Sequence, residues 1–198
     1  MIEAIHREHF MNRRILVSAL AIVLAFAAGC TTTGSGGGDP VTRRASINTG
    51  VDNALAQLFQ QVPGSRELVG QAKGVLVFPN VIEAGFMFAA SRGEGALRIG
   101  GKTNSFHAMT SGSFGLQAGA QSTAVFLLFM TSDALTRFQN SSGWTADADA
   151  SVTLISVGAS AQVTTTTAQQ PVIGYVLSNG GLMGSLSLGG TRITPLSL

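Results

Sequence analysis

The sequence predicts an α+β domain: a mostly antiparallel β-sheet, or a small barrel-like sheet, preceded by one or two helices. Three observations point there. Apolar residues recur at helical spacing over 51–62. From residue 74 onward the apolar residues form continuous runs or alternate with period two between glycine-rich turns. Charged residues make up only 11% of the chain while 25 of its 198 residues are glycine, a composition suited to closely packed strands rather than to disorder.

The elements follow in order. Val51, Ala54, Leu55, Leu58, Phe59 and Val62 define an amphipathic helix that Asn48 or Thr49 would cap and Pro63-Gly64 would stop. Ser65 would cap a second short helix reaching Ala72. Val75–Phe78, ended by Pro79, reads as a strand buried on both faces. Ser91–Gly95 reads as a turn after the apolar run Ala84–Ala90, and Gly100-Gly101-Lys102 as a turn after the strand Ala96–Ile99. Ser113–Gln121 alternates as one strand, with Gly115 and Gly119 on one face, where a helix or an acyl chain could lie close to the backbone. Ala124–Met130 is a buried strand, and Ser132 would cap a helix over Asp133–Phe138. Weak alternation over 144–157 and 158–163 is followed by a hairpin of Val172–Leu177 and Leu182–Leu188 around Asn179-Gly180-Gly181. About eight antiparallel strands are therefore expected.

The N-terminus has a different logic. Met11-Asn12-Arg13-Arg14 is a positive segment, Ile15–Ala28 is a 14-residue run without charge, and Ala27-Ala28-Gly29-Cys30 is a small-residue cleavage site ending in cysteine. A helix of that run spans about 21 Å, short of the roughly 30 Å hydrocarbon core. Residues 1–29 are expected to be a signal peptide, with Met11 the better start. The site resembles the lipobox of bacterial lipoproteins, with Ala27 where leucine is usual, and Cys30 is the residue that would be lipidated. It is also the chain's single cysteine, so no internal disulfide can form. Residues 30–48 are expected to be a flexible tether and 49–198 the domain. Thr31 after the cysteine resembles the sorting pattern for the outer membrane, which would leave the domain facing the periplasm, with surface exposure left open.

Little in the sequence points to catalysis. His107 is the one histidine after the signal and has no second histidine for a metal site. No Gly-x-Ser-x-Gly elbow occurs. Asp147 and Asp149 would share a strand face, where solvation is a better explanation than acid–base work. Nine basic and eight acidic residues follow Cys30, too balanced a charge to hold nucleic acid. No enzyme, metal or cofactor is expected.

The blocks Ala72–Pro79, Ala84-Gly85-Phe86, Gly93–Leu97, Ser113–Ser122, Phe129-Met130-Thr131 and Gly181-Leu182-Met183 occur in an order that resembles the SYLF lipid-binding domain family. The resemblance implies phospholipid binding, and in eukaryotic members phosphoinositide and actin binding. It implies no catalysis. The resembling helix, Val51–Val62, carries Asp52 and no Lys or Arg, so head-group contact is expected from Lys73, Arg92, Arg98 and Lys102. Val51, Leu55, Leu58 and Phe59 would face the bilayer or an acyl chain. The expectation is a lipoprotein whose domain binds phospholipid at the cell envelope. The alternative is a structural lipoprotein that docks an envelope protein without specific lipid binding.

Overall fold

A computed structural model describes residues 39–86, 88–114, 119–155, 170–178, 181–182 and 188–198. The expected signal peptide, Cys30, the expected tether up to Gly38 and the expected alternation over 158–163 lie outside the described residues. The fold is α+β, as expected, with mostly antiparallel strands in a curled half-barrel sheet. Its long strands are β1 (Gly74–Phe86), β2 (Phe88–Ile99), β3 (Lys102–Phe114) and β4 (Gly119–Phe129). The shorter ones are β5 (Trp144–Thr145), β6 (Val152–Leu154), β7 (Val172–Ser178), β8 (Gly181–Leu182) and β9 (Arg192–Pro195). The order is β5-β9-β3-β2-β1-β4-β7-β6, with β8 on β7. β1, β2 and β3 form a meander and β4 returns beside β1, a Greek-key arrangement. β6 runs parallel to β7, the one departure from antiparallel pairing among the described strands. Within Ser113–Gln121, expected as one strand, Ser113-Phe114 end β3 and Gly119–Gln121 begin β4, which pair with different neighbours, and residues 115–118 lie outside the described residues.

The continuous apolar runs are strands buried on both faces. Val75, Val77, Ala124, Phe126, Leu128, Ile173 and Tyr175 pack under helix α1 (Pro40–Gln61). The alternate residues Leu76, Phe78, Val125, Leu127, Phe129 and Val176 form a second core, closed by α3 (Ser132–Gln139) and by Trp144. Phe138 of α3 stacks against Phe129 at 4.8 Å, and Trp144 meets Phe138 edge-on at 5.8 Å. Tyr175 is 0% exposed and its hydroxyl has no hydrogen-bond partner among the described residues; burial pushes its pKa up to about 12. An unpaired buried hydroxyl costs about 1–3 kcal/mol. Tyr175→Phe is therefore expected to hold or raise stability by up to about 1 kcal/mol, read as the urea midpoint. A clear loss would mean the hydroxyl has a partner.

Pro79 interrupts β1, because it has no N–H for the ladder. The register shifts there against both neighbours, between Val77 and Asn80 toward β2 and between Phe78 and Val81 toward β4. The bulge pushes backbone toward β2, and Gly93 and Gly95 are the residues that yield. A Cβ on Gly95 would lie 2.1 Å from the Val77 carbonyl oxygen, and one on Gly93 would lie 2.8 Å from Val81. Ser91–Gly95 is thus not a turn but the middle of β2. The turn expected at Gly100-Gly101 is present, with φ of 56° and 78°, the two positive values of a type I′ hairpin.

The first helix starts earlier than its apolar period suggested. Asp39 caps it by accepting from the Thr42 N–H at 3.2 Å, and Pro40 occupies the first turn. Residues 40–48, expected in the tether, are its opening turns. α2 (Ser65–Gln71) begins after Gly64 rather than at a serine cap; Ser65 is buried and donates to the Val62 carbonyl at 2.7 Å. α3 is capped by Thr131, not Ser132. Asp147 and Asp149 sit in a tight turn, where their carboxylates accept from the Val152 and Thr145 N–H groups, so they do not form a paired strand site.

Candidate functional site

Helix α1 lies across the sheet and buries Ile47, Val51, Ala54 and Leu58 as one stripe. One flank is fixed at the β2–β3 hairpin end. The Arg98 guanidinium meets Asp52 at 2.8 Å, and Thr103 donates to the Asn48 side chain at 2.7 Å. At its opening turns Arg43 makes a bidentate ion pair with Glu94. Gly50 rides against Pro79; a Cβ there would lie 2.9 Å from the proline ring.

β1 to β3 continue beyond the cover of this helix. Between its other flank and their exposed face lies a groove of about 910 Å³. Its depth is apolar, made by Ile47, Gly50, Ala54, Pro79 and Gly93. Asn53, Gln57, Asn80, Arg92 and Thr110 are at the rim. Ile82 extends the floor outward and is 52% exposed, one of two large hydrophobic residues exposed to this degree among the described residues. Isolated exposed apolar groups are ordinary, but one set in a groove beside a cation has the make-up of a ligand site.

The four basic residues expected at head groups do not gather. Lys73, Arg98 and Lys102 lie at one end of the sheet, since Val75 pairs with Arg98 and Ile99 with Lys102. Arg92 is six residues along β2, or about 20 Å at strand rise. Lys73 and Lys102 are exposed, whereas Arg98 is engaged by Asp52, the Asn48 carbonyl and the Gly101 carbonyl. Arg92 is exposed, stands at the groove, and has no carboxylate partner among the described residues.

The helix residues expected to face lipid are corrected by the same geometry. Val51 and Leu58 are 0% exposed and pack on the sheet, because that sheet face is itself apolar. Leu55 and Phe59 are half-buried, and Arg66 stacks over the Phe59 ring at 4.3 Å. The groove residues Ile47, Asn53, Gln57, Asn80 and Ile82 were not expected as site residues. Ile82, a large apolar residue just past Pro79, was the one sequence signal available for them.

His107 faces the α3 core, not the groove. It is 6% exposed, its ring lies 4.9 Å from that of Phe138, and its Nε2 shares a hydrogen bond of 2.9 Å with Ser105. Desolvation lowers its pKa to about 4. Among the described residues no group of three His, Cys, Asp or Glu could hold a metal ion.

Residues 110–197 match the family model Ysc84, described as Las17-binding protein actin regulator. No curated protein matches the chain. The matched span begins at the last part of β3 and runs to β9, so it takes in Thr110 and Ser111 of the groove, while α1 and most of the groove precede it. With the ordered blocks that begin at Ala72, the match marks residues 110–197 as similar to the Ysc84, or SYLF, domain family.

Proposed function

We propose that this protein is an exported lipoprotein, anchored through Cys30, whose SYLF domain binds phospholipid at the outer membrane on its periplasmic side. The observation that carries the lipid reading is the groove: apolar in its depth, floored outward by exposed Ile82, with the uncommitted cation Arg92 at its rim. The family is associated with lipid binding, which favours the same ligand class. The proposal includes no catalytic step. The signal-like run ending at Cys30 supports the anchor.

The test uses a chain beginning at Thr31, which keeps Asp39–Leu198, a compact unit by itself. It is sedimented with phosphatidylcholine vesicles and with vesicles containing phosphatidylglycerol, at low and high salt. Binding to the anionic vesicles that weakens with salt is the expected result. A basic charge at an anionic surface is worth about 1 kcal/mol, and Arg92→Glu changes the charge by two units, about 2 kcal/mol, so it should weaken binding roughly 30-fold. Equal binding to both vesicle types, unmoved by salt and by Arg92→Glu, would exclude head-group recognition. No binding to either would leave the protein-docking alternative. The anchor is checked separately: labelled palmitate should enter the full chain in cells and be lost with Cys30→Ala.

A further inference from the structure

We infer that the groove between α1 and the exposed face of β1–β3 takes up one molecule of anionic phospholipid, an acyl chain lying in the trough and the phosphate at Arg92. This deepens the proposed lipid binding and rests on it: the domain would withdraw lipid rather than only touch a surface. Three observations carry it. The volume, about 910 Å³, lies within the range of about 300–1,000 Å³ of sites that enclose a single ligand, whereas a surface contact needs no trough. The trough has the polarity of an amphiphile laid lengthwise, with Ile47, Ala54 and Pro79 in its depth, Ile82 and Ala90 along its outer floor, and Asn53 and Gln57 on the rim.

The charges are complementary to an anion. Glu94, the one carboxylate lining the groove among the described residues, is neutralised by Arg43. Arg92 is two residues further along the same strand face and has no such partner. The guanidinium fork suits phosphate oxygens. Helix α1 is tied to β2 at two points along its length, by the Arg43–Glu94 and Asp52–Arg98 pairs, so the groove is formed before a ligand arrives.

The chain beginning at Thr31 is titrated with dihexanoyl phosphatidic acid kept below its micelle concentration, so that no membrane is present. Saturable binding is expected. Arg92→Gln should weaken it about tenfold, the loss of one charged contact. Ala90→Trp, which fills the trough, should weaken it at least as much. Ile82→Asn leaves the fold's cores untouched and should also weaken it, so the test survives if the tryptophan variant does not fold. Lys102→Gln, at the far end of the sheet, should change nothing. Glycerol 3-phosphate, a head group without chains, should not compete. If it competes as well as the lipid, the groove is an anion site only and the inference falls. If anionic vesicles bind but the monomeric lipid does not, or binds equally to Ala90→Trp and Ile82→Asn, the inference falls while surface binding stands. If neither vesicle nor monomer binds, both readings fall.

Discussion

Gly95→Ala is expected to abolish cooperative folding or to cost at least about 3 kcal/mol, a large part of the roughly 5–15 kcal/mol that holds a domain together. The added Cβ would stand 2.1 Å from the Val77 carbonyl oxygen, 2.7 Å from Phe78 Cδ1 and 2.8 Å from the Val77 carbonyl carbon. Two of these are backbone atoms, and Phe78 is 0% exposed, so no flexible side-chain end is available to move aside. The strain cannot be shared along β1 either, since the bulge at Pro79 fixes its register on both sides. Gly112→Ala is the matched control. It lies on β3 with nothing within 4 Å of the new atom, and the change should stay within about 0.5 kcal/mol. Urea unfolding followed by the fluorescence of Trp144, which is 2% exposed, reads both. A Gly95→Ala variant within 1 kcal/mol of the parent would contradict the close approach of β1 and β2 at the bulge.

The same glycines show what the sequence could and could not convey. Gly93 and Gly95 look like turn residues because a turn and a close backbone approach both require a missing Cβ. Only the partner strand, with Pro79 14 residues earlier than Gly93, decides between them. Val75–Phe78 and Ala124–Met130 were legible as buried strands, because continuous apolar character needs apolar cover, whereas Val172–Leu177 was legible only as one arm of a hairpin. The start of α1 was not legible from periodicity: before Val51 its one buried hydrophobic residue is Ile47. β9 has four residues and no alternation, and it exists because β3 offers it an edge.

At the site, the composition showed basic residues but not their commitments. Arg98 is neutralised by Asp52, 46 positions away, whereas Arg92 has no carboxylate partner among the described residues. Likewise the period of Val51 and Leu58 revealed an apolar face without revealing what it faces. The groove arises from the offset of a helix over a sheet, a tertiary quantity that no local pattern encodes.

His107 should make the domain sensitive to acid. Its imidazole is buried against the Phe138 ring, its Nδ1 has no hydrogen-bond partner among the described residues, and its pKa falls from 6.5 to about 4. In the unfolded chain the ring takes a proton as the pH drops through 6.5; in the folded domain it resists until about 4. Between those values the unfolded state binds more protons, so stability falls as the pH falls. The contribution is complete above pH 6.5 and lost by about pH 4. The linkage amounts to at most about 3 kcal/mol, large against the stability of a small domain. His107→Gln keeps a polar group beside Ser105 but cannot titrate here, so it isolates this term from every other acid-sensitive group. Between pH 7 and pH 4 the parent should lose about 2–3 kcal/mol more than the variant by urea unfolding, the loss lying between pH 6.5 and 4. Parallel pH profiles for the two proteins would mean that the folded ring takes up its proton as readily as the unfolded one. The core around Phe138 would then have to admit water or a counter-charge that the packing of β3 against α3 does not provide.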